Sequence, residues 1–343
     1  MVAALTSAGG YELACGESGG ESGGATNDGG GGTLGLPDAA VGPSDGEAPG
    51  TTMRLAHVAS TLGLVDFCYR MANTSSFEGP VLGGGLGGVG RDGAADDGGD
   101  AGTGGDLDAS AADDGGDAGA PDGGAASVGY RTVSRYLTLQ AAGPLTIALV
   151  APGATSCATP LFTADVTLDP GKLATVAIVG GPAADGGDPE LSLVAFIDDR
   201  MTVPSKARVR MIHAALGTAA RAPAGALAVR ASAAQTVTIA ERVEPKKAAA
   251  PSESVPVDSL GYATIAPVPS PAQLAVGPAP NTPPAGADVS LDSWVSLAGE
   301  LRLVGASLHT GFVLSGDGNQ PFEVLWCTDT STSGDRTTCE LVR

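Results

Sequence analysis

The residue types that most often carry chemistry are few in this sequence. Its 343 residues include only three histidines, His57, His213 and His309. His57 and His213 each follow an arginine, Arg54 and Arg210, by three positions in two short segments of similar pattern. If these segments are β-strands, alternation places both histidines on the apolar face and both arginines on the opposite face. We therefore expect hydrogen-bonded core histidines rather than metal ligands or catalytic bases, and arginines that could pair with carboxylates.

Carboxylates are plentiful but poorly placed for acid–base catalysis. The Asp pairs at 96–97 and 113–114 lie in Gly/Asp-rich sequence, where no packed shell would fix their geometry. The pair at 198–199 closes an apolar segment, a position typical of a solvated turn. A carboxylate-based glycan hydrolase is therefore only a minor alternative, because it needs two carboxylates held at a fixed distance.

Other catalytic and metal-binding motifs are missing from the sequence. We find no nucleophile elbow, no phosphate-binding loop and no metal-spaced His/Cys pair. Residues 87–92 fit the start of a calcium-binding nonapeptide, but no tandem copy follows, which favours a solvated acidic loop. The sequence predicts a non-enzymatic protein with no catalytic residue, no cofactor and no metal.

The cysteines favour an exported protein. Five cysteines without a metal-ligand cluster indicate disulfides, which form in oxidising compartments. Cys68 and Cys157 lie in the first half of the chain, and Cys327 and Cys339 lie close together near its end, so the predicted pairs are Cys68–Cys157 and Cys327–Cys339. Other connectivities and buried free thiols stay open at this point.

Cys15 is left without a partner and lies in a suggestive context. Leu13-Ala14-Cys15-Gly16, followed by a Gly/Ser spacer, resembles the end of a bacterial lipoprotein signal, in which the cysteine becomes the lipidated N-terminus. Leu13 stands two residues before the cysteine rather than three, and no basic region precedes it. Lipidation at Cys15, ordinary secretion and an intracellular thiol are all open. The expected location is the cell envelope or the exterior, as an outer-membrane lipoprotein if Cys15 is lipidated.

The negative charge is concentrated in two low-complexity stretches. Residues 1–50 carry −7 and residues 83–128 carry −9 of the net charge of −20. We predict that residues 1–50 are a signal or lipidation segment with a flexible linker and that residues 83–128 are a disordered insert, because neither stretch has enough apolar side chains for a core. Without a basic stripe the chain should not bind nucleic acid. Without a run of about 18 apolar residues it should meet a membrane only through a lipid anchor.

Four sequence blocks recur in the same order, which predicts two copies of one domain at 52–203 and 206–343. The paired blocks are 54–59 with 210–215, 129–133 with 261–265, 173–179 with 308–314, and strand ends at Asp199 and Asp329. The apolar segments are short, rich in Val, Ile, Thr and Leu, and bounded by Gly, Pro or Asp. They predict an all-β chain of two tandem antiparallel β-sandwich domains of immunoglobulin-like size.

The first copy also carries specific motifs, namely Arg54…His57-Val-Ala-Ser60, Val65-Asp66-Phe67, Leu168-Asp-Pro-Gly171-Lys-Leu-Ala-Thr175 and a closing Asp198-Asp199. In these motifs each copy resembles the bacterial domain-of-unknown-function family 4397 (DUF4397). The second copy keeps Arg210 and His213 but reads Leu227-Ala-Val229 at the V-D-[VF] step, so no role of Asp66 transfers to it. The resemblance implies a β-sandwich of secreted and envelope proteins, with no established catalytic activity and no known binding residues.

Two classes of function follow. The tandem sandwich could be a surface binding or adhesion module for an envelope protein or a glycan, or a structural spacer without a specific ligand. Exposed aromatic residues in loops would favour binding. Trp326 falls in a predicted strand, which leaves Trp294 either as a surface contact or as cover for the second core.

Overall fold

All regular secondary structure described for this protein is β-strand. The structure is a computed structural model that describes residues 50–83, 127–181, 190–216, 225–280, 294–316, 320–329 and 337–343. The predicted linker at 1–50 and insert at 83–128 lie outside these residues except at their ends, as do Cys15, the segment at 87–92 and the Asp pairs at 96–97 and 113–114. Within the described ranges there is no helix, and hence none of a length and hydropathy that could span a membrane.

The strands fall into two groups, which we call the first sandwich and the second sandwich. The first contains β1 Thr51–His57, β2 Asp66–Met71, β3 Thr132–Val133, β4 Leu137–Leu139, β5 Gly143–Val150, β6 Phe162–Leu168, β7 Leu173–Gly181 and β8 Glu190–Asp198. The second contains β9 Ala207–His213, β10 Leu227–Ser232, β11 Thr236–Val243, β12 Tyr262–Ile265, β13 Val268–Pro278, β14 Val295–Leu303, β15 Ser307–Ser315, β16 Phe322–Asp329 and β17 Thr337–Val342.

Each sandwich has an outer and an inner sheet. In the first, the outer sheet has the order β2-β5-β6 and the inner sheet the order β3-β1-β7-β8, with β4 also paired to β1. In the second, the inner sheet has the order β12-β9-β15-β16-β17 and the outer sheet the order β11-β10-β13-β14. The predicted all-β sandwich class is confirmed. It differs from the antiparallel expectation at two pairs, β1 with β7 and β9 with β15, which are parallel because the chain builds the outer sheet between them.

Alternating aliphatic side chains fill a core inside each sandwich. In β1, Met53 and Leu55 point into the first core, whereas Arg54 and Ala56 point away from it. Aromatic residues are few, so Leu, Val, Ile and Ala make up most of both cores, with Phe67 in the first and Trp326 in the second as the largest apolar exceptions. Each fully buried aliphatic side chain stabilises the fold by about 1.5–3 kcal/mol relative to exposure.

The two inner sheets also pack on each other through a third apolar cluster. Its buried members are Ala56, Val58, Ala177 and Val179 of the first sandwich and Ile212, Ala214, Phe312, Leu314, Leu325 and Cys327 of the second. The layers therefore follow the order outer, inner, inner, outer, and residues 47–343 form one compact unit. The two sandwiches are therefore joined by this shared apolar cluster and not only by the chain that connects β8 to β9.

Strand register identifies matching positions in the two sandwiches. Arg54 lies opposite Thr175 in β7, and Arg210 lies opposite Thr310 in β15. Asp198 lies at the end of β8, opposite Leu173 of β7. In the second sandwich His309 of β15 pairs with Thr328 of β16, so the next residue of β16, Asp329, holds the position that corresponds to Asp198. The match of Asp329 is therefore Asp198. The sequence comparison had predicted Asp199, which is wrong by one residue.

A second match is also corrected by register. Tyr262 lies opposite Arg210, and Leu137 lies opposite Met53. The residue next to Leu137, Tyr136, therefore holds the position of Tyr262. The predicted match of Tyr130 with Tyr262 is wrong, because Tyr130 belongs to the turn before β3. The prediction relied on the Gly-Tyr dipeptide that both segments contain.

Both predicted disulfides are present in the structure. Cys68 in β2 is bonded to Cys157 in the connection after β5, across 89 residues of sequence. Cys327 in β16 is bonded to Cys339, its direct neighbour in β17, across 12 residues. The first disulfide closes a long loop and the second joins two adjacent strands.

Charge is divided sharply along the chain. The described residues contain 15 Lys and Arg and 15 Asp and Glu, which makes this part formally neutral. The whole net charge of −20 therefore belongs to the remaining segments. Attraction and repulsion between charges within the sandwiches must be judged pair by pair.

Candidate functional site

Arg54 is almost completely buried in the contact between the two inner sheets. Its Nη1 donates to Asp329 Oδ1 at 2.5 Å and its Nη2 to Asp329 Oδ2 at 3.2 Å, so the guanidinium meets the carboxylate with both arms. Nη1 also donates to Thr337 Oγ1 at 2.7 Å, and Nε donates to Thr175 Oγ1 at 2.8 Å. Asp329 and Thr337 belong to the second sandwich. Arg54 thus bonds mainly across the contact.

Arg210 makes the reciprocal contact with fewer bonds. Its Nη2 donates to Asp198 Oδ1, and its Nη1 donates to the main-chain oxygen of Ile197 at 2.9 Å, both in the first sandwich. Its Nε is buried and has no acceptor among the residues that the structure describes. The arginine of each sandwich therefore pairs with the aspartate of the other, and we call this set of residues the crossed ion pairs.

Hydroxyl groups donate further hydrogen bonds to the carboxylates of both aspartates. Asp198 Oδ2 accepts hydrogen bonds from Thr175 at 2.7 Å and from the Tyr136 hydroxyl at 2.8 Å. Asp329 accepts from Thr310 at 3.1 Å and from Thr337 at 2.9 Å. Since Thr175 accepts from Arg54 and donates to Asp198, it links the two ion pairs into one network. Such satisfaction is what buried charges require.

Aromatic rings cover both guanidinium groups. The Arg54 guanidinium carbon lies 4.9 Å from the centre of the Tyr136 ring, and that of Arg210 lies 4.8 Å from the centre of the Tyr262 ring. A guanidinium over an aromatic face gains cation–π attraction, which grows when water is excluded.

The network is fixed in one charge state near neutral pH. Burial by itself would lower the pKa of Arg54, but the charges of Asp329 and Asp198 outweigh it and raise that pKa. Burial by itself would raise the pKa of Asp198, but Arg210 and Arg54 outweigh it and lower that pKa. Burial, reinforced by the Asp198 charge, raises the pKa of Tyr136, which stays a hydrogen-bond donor.

This arrangement suits a structural role rather than catalysis. Arg54 and Arg210 are 1% and 0% exposed, and each aspartate is 7% exposed, so a substrate has no access to them. A general acid or base needs a pKa near the working pH, whereas the pKa values of Arg54 and Arg210 are raised and that of Asp198 is lowered, so these three groups keep their charges. Within the described ranges no group of three or more His, Cys, Asp and Glu side chains is arranged to hold a metal ion.

The two matching histidines are buried and bonded to backbone. His57 Nε2 lies 2.8 Å from the oxygen of Gly63, and His213 Nε2 lies 2.9 Å from the oxygen of Gly225. Both side chains are 0% exposed, and burial lowers the pKa of His57. These contacts agree with the predicted core histidines and pin the chain that follows each strand.

Asp66, the acidic residue of the V-D-[VF] step, also bonds only to backbone. Its carboxylate accepts from the amides of Phe67, Leu82 and Gly83 at 2.6–2.8 Å. It thereby fixes the segment at which the predicted insert begins. The second sandwich has Ala228 in the corresponding triplet and no such cap.

Trp294 is engaged within the second sandwich. The Arg230 guanidinium lies 4.0 Å from the centre of its ring, and the ring covers Gly277, where an added Cβ would approach it to 2.7 Å. The tryptophan is half-buried. These contacts favour its role as cover for the sheet over its role as a surface contact.

An open cleft lies on the first sandwich, and its lining includes no residue of the crossed ion pairs. Its volume is ≈ 620 Å³, and its walls come from the turn before β2, from Val81 and Leu82 after β2, and from the stretch between Ser127 and Leu137. Leu64, Val81, Leu82, Val128, Val133 and Leu137 supply aliphatic surface. Tyr130, Arg135 and the hydroxyl residues Ser127, Thr132 and Ser134 supply polar groups. A cleft of this size suits a small-molecule ligand.

One wall of the cleft is held by the second sandwich. Arg131 adopts a positive φ of 65°, and its amide donates to the oxygen of His57 at 2.8 Å. Its side chain forms an ion pair with Glu323 of β16, and its guanidinium carbon lies 4.7 Å from the centre of the Tyr130 ring. A non-glycine residue in this conformation needs such support. No local sequence pattern predicts this contact, because Arg131 and Glu323 lie 192 positions apart.

Comparison with known protein families yields one match. Residues 117–222 match the model of a family described as "Domain of unknown function (DUF4397)". The match is a single copy, so the predicted two tandem copies are not found. No curated protein matches the chain.

Proposed function

We propose that this protein is a non-enzymatic, exported binding module in which two sandwiches act as one rigid body. The observation that carries the proposal is the open cleft of ≈ 620 Å³ on the first sandwich. It is concave, mostly apolar and provided with a few converging polar groups, the features that ligand sites share. The partner of the whole module is an envelope protein, a glycan or a smaller molecule.

The lack of catalysis is supported by what the ionisable groups do. Arg54, Arg210, Asp198 and Asp329 bond to each other, and His57 bonds to a main-chain oxygen. None of these groups lines the cleft. A glycan hydrolase would need two carboxylates at an accessible surface, and no Asp or Glu is among the described cleft residues.

Common descent of the two sandwiches from one duplicated domain is part of the proposal. Its support is the equal register of Arg54 with Thr175 and of Arg210 with Thr310. The similar contacts of His57 and His213 support it as well.

Export is supported by the disulfides Cys68–Cys157 and Cys327–Cys339, since such bonds persist in oxidising compartments. Anchoring through Cys15 is the further step. Cell fractionation with mass analysis of the N-terminus tests both. A lipid-modified Cys15 in the membrane fraction would support anchoring, and a cytoplasmic protein with five reduced thiols would overturn export.

A ligand panel tests the binding role. The full chain is screened against glycans, peptides and small lipophilic acids, together with the variant Leu64→Asp, which places a charge at the cleft. Leu161→Asp is the matched control, because Leu64 and Leu161 are 57% and 53% exposed and only Leu64 lines the cleft. We expect at least one ligand class to bind the wild type and the control but not Leu64→Asp.

The spacer alternative is favoured by a different observation, the stacking of the two inner sheets through the crossed ion pairs and their apolar cluster. A rigid stack of four layers can separate two partners without a ligand of its own. A panel that stays blank for the wild type would favour the spacer over the binding module.

A further inference from the structure

We propose that the cleft of the first sandwich binds a small amphipathic anion, with an apolar chain or ring inside and one carboxylate at Arg135. The inference rests on the proposed binding function and names its ligand class. Three properties of the cleft support it, namely its lining, its charge and its rigidity.

The lining is suited to an apolar body. Six of the residues around the cleft are aliphatic, and Tyr130 adds an aromatic ring. Leu64 is 57% exposed at the rim, and its Cδ2 lies over Gly129, where an added Cβ would come within 2.8 Å of it. An exposed leucine on a concave wall gains most when a ligand covers it, because apolar area leaves water.

The charge of the cleft is positive and has no partner in the described structure. Arg135 is exposed, forms no ion pair with any described residue, and is the one formally charged side chain among the described residues that line the cleft. Arginine holds a carboxylate with two parallel hydrogen bonds. The hydroxyl group of Ser127 offers a further donor on the lining of the cleft.

The walls are already fixed without a ligand. Ser134 Oγ accepts from the amide of Leu55 at 2.9 Å and donates to the oxygen of Arg135 at 2.8 Å. Val128 is bridged to Val65, and the amide of Val81 donates to the oxygen of Phe67 at 2.9 Å. A preformed site loses little freedom on binding, which favours affinity.

The Asp-rich stretch 83–128 begins and ends beside the cleft in sequence and would repel an anion over long range. Exposed charges are largely screened beyond about 8 Å at 0.15 M salt. The affinity should therefore be measured at this salt concentration or above.

Calorimetric titration of the full chain with decanoate, below its micelle concentration, tests the proposal. Decanol is the uncharged control, and 4-phenylbutyrate distinguishes an aromatic body from an alkyl chain. We expect decanoate to bind more tightly than octanoate by up to about fourfold per added methylene, the factor for full burial. We expect decanol to bind about tenfold more weakly than decanoate, since it lacks the charge.

Two pairs of variants locate the site. Arg135→Gln should weaken decanoate about tenfold and leave decanol unchanged, whereas Arg302→Gln, an exposed arginine of β14, should change neither. Leu64→Asp should abolish binding of both ligands, and Leu161→Asp should not. Equal thermal unfolding of all four variants ensures that a loss reports the cleft and not the fold.

Decanoate binding that Arg135→Gln and Leu64→Asp leave intact would overturn the proposal. It would also be overturned if both decanoate and 4-phenylbutyrate failed to bind the wild type. If both acids fail while the panel finds another ligand that Leu64→Asp abolishes, this ligand class is wrong and the binding function stands. If acids and panel both fail, the binding function falls too.

Discussion

Arg54 in the first sandwich and Arg210 in the second hold matching strand positions, and each reaches an aspartate of the other sandwich. Their surroundings differ. Arg54 meets the inner sheet that ends in β17, whose Thr337 completes its bonds. Arg210 packs against the inner sheet that ends in β8, where the main-chain oxygen of Ile197 is its one acceptor besides Asp198 among the described residues.

The strand position of an arginine therefore does not determine how many hydrogen bonds its guanidinium group makes. The partner sheet does. One additional strand in the second sandwich, β17, adds Thr337 to the acceptors of Arg54 and brings them to four atoms. Arg210 has two acceptor atoms, and its Nε has none among the described residues. We expect the two sandwiches to respond unequally to matched substitutions.

The largest expected effect on stability concerns the disulfides. Replacing Cys68 and Cys157 by alanine should lower the free energy of unfolding by about 5 kcal/mol, and replacing Cys327 and Cys339 by about 3 kcal/mol, because the released loops differ in length. The bonds close 89 and 12 residues respectively. Urea unfolding of both double variants measures this. A larger loss for the Cys327–Cys339 pair would mean that this disulfide stabilises the fold more by holding β17 and its Thr337 in place than by closing a loop.

Removal of each arginine compares the crossed ion pairs directly. Arg54→Leu should cost about 4 kcal/mol, since it leaves Asp329 buried without a cation. Arg210→Leu should cost about 3 kcal/mol, because Asp198 keeps the Tyr136 hydroxyl and lies 3.8 Å from Arg54 Nε. Urea unfolding of both variants measures the two losses.

The double variant Arg54→Leu/Asp329→Leu is the control for this pair. It should recover most of the loss, because replacing both partners of a buried ion pair by apolar residues is often nearly neutral. A larger loss for Arg210→Leu than for Arg54→Leu would contradict the comparison.

Much of this framework could be predicted from the sequence, and the reasons are local. Alternation along β1 and β9 placed Arg54 and Arg210 opposite the core faces, and spacing suggested the two disulfides that the structure contains. The partner of each arginine could not be predicted. Asp329 lies 275 positions from Arg54, and only the stacking of two sheets brings them together. The cleft likewise depends on three separate segments whose spacing carries no periodic signal.

The next prediction concerns pH and affects mainly the second sandwich. Burial lowers the pKa of His309 to about 4, and the residue at the matching position of the first sandwich is Ala174, which does not titrate. The unfolded chain takes up a proton near pH 6.5 and the folded chain only near pH 4, so stability falls as the pH drops through this window. The loss is on the order of 3 kcal/mol.

His309→Gln should remove most of this slope, which urea unfolding at pH 7, 5.5 and 4.5 would measure. His57→Gln is the comparison in the first sandwich and should also reduce the slope, because burial lowers the pKa of His57 in the same direction. An unchanged slope in His309→Gln would show that the acid sensitivity arises elsewhere.

The smallest expected effect on stability concerns the two tyrosines that cover the guanidinium groups. The Tyr136 hydroxyl donates to Asp198 at 2.8 Å, whereas the structure gives the Tyr262 hydroxyl no hydrogen bond among the described residues. Tyr136→Phe should therefore cost about 2 kcal/mol, the range for a hydrogen bond to a charged group, and Tyr262→Phe clearly less. Because the Tyr136 hydroxyl helps to lower the pKa of Asp198, its loss should also bring the folded pKa closer to the unfolded one, so that Asp198 contributes a smaller loss of stability on acidification. Equal costs for the two variants, with no change in acid sensitivity, would mean that Asp198 relies on Arg210 and Thr175 alone.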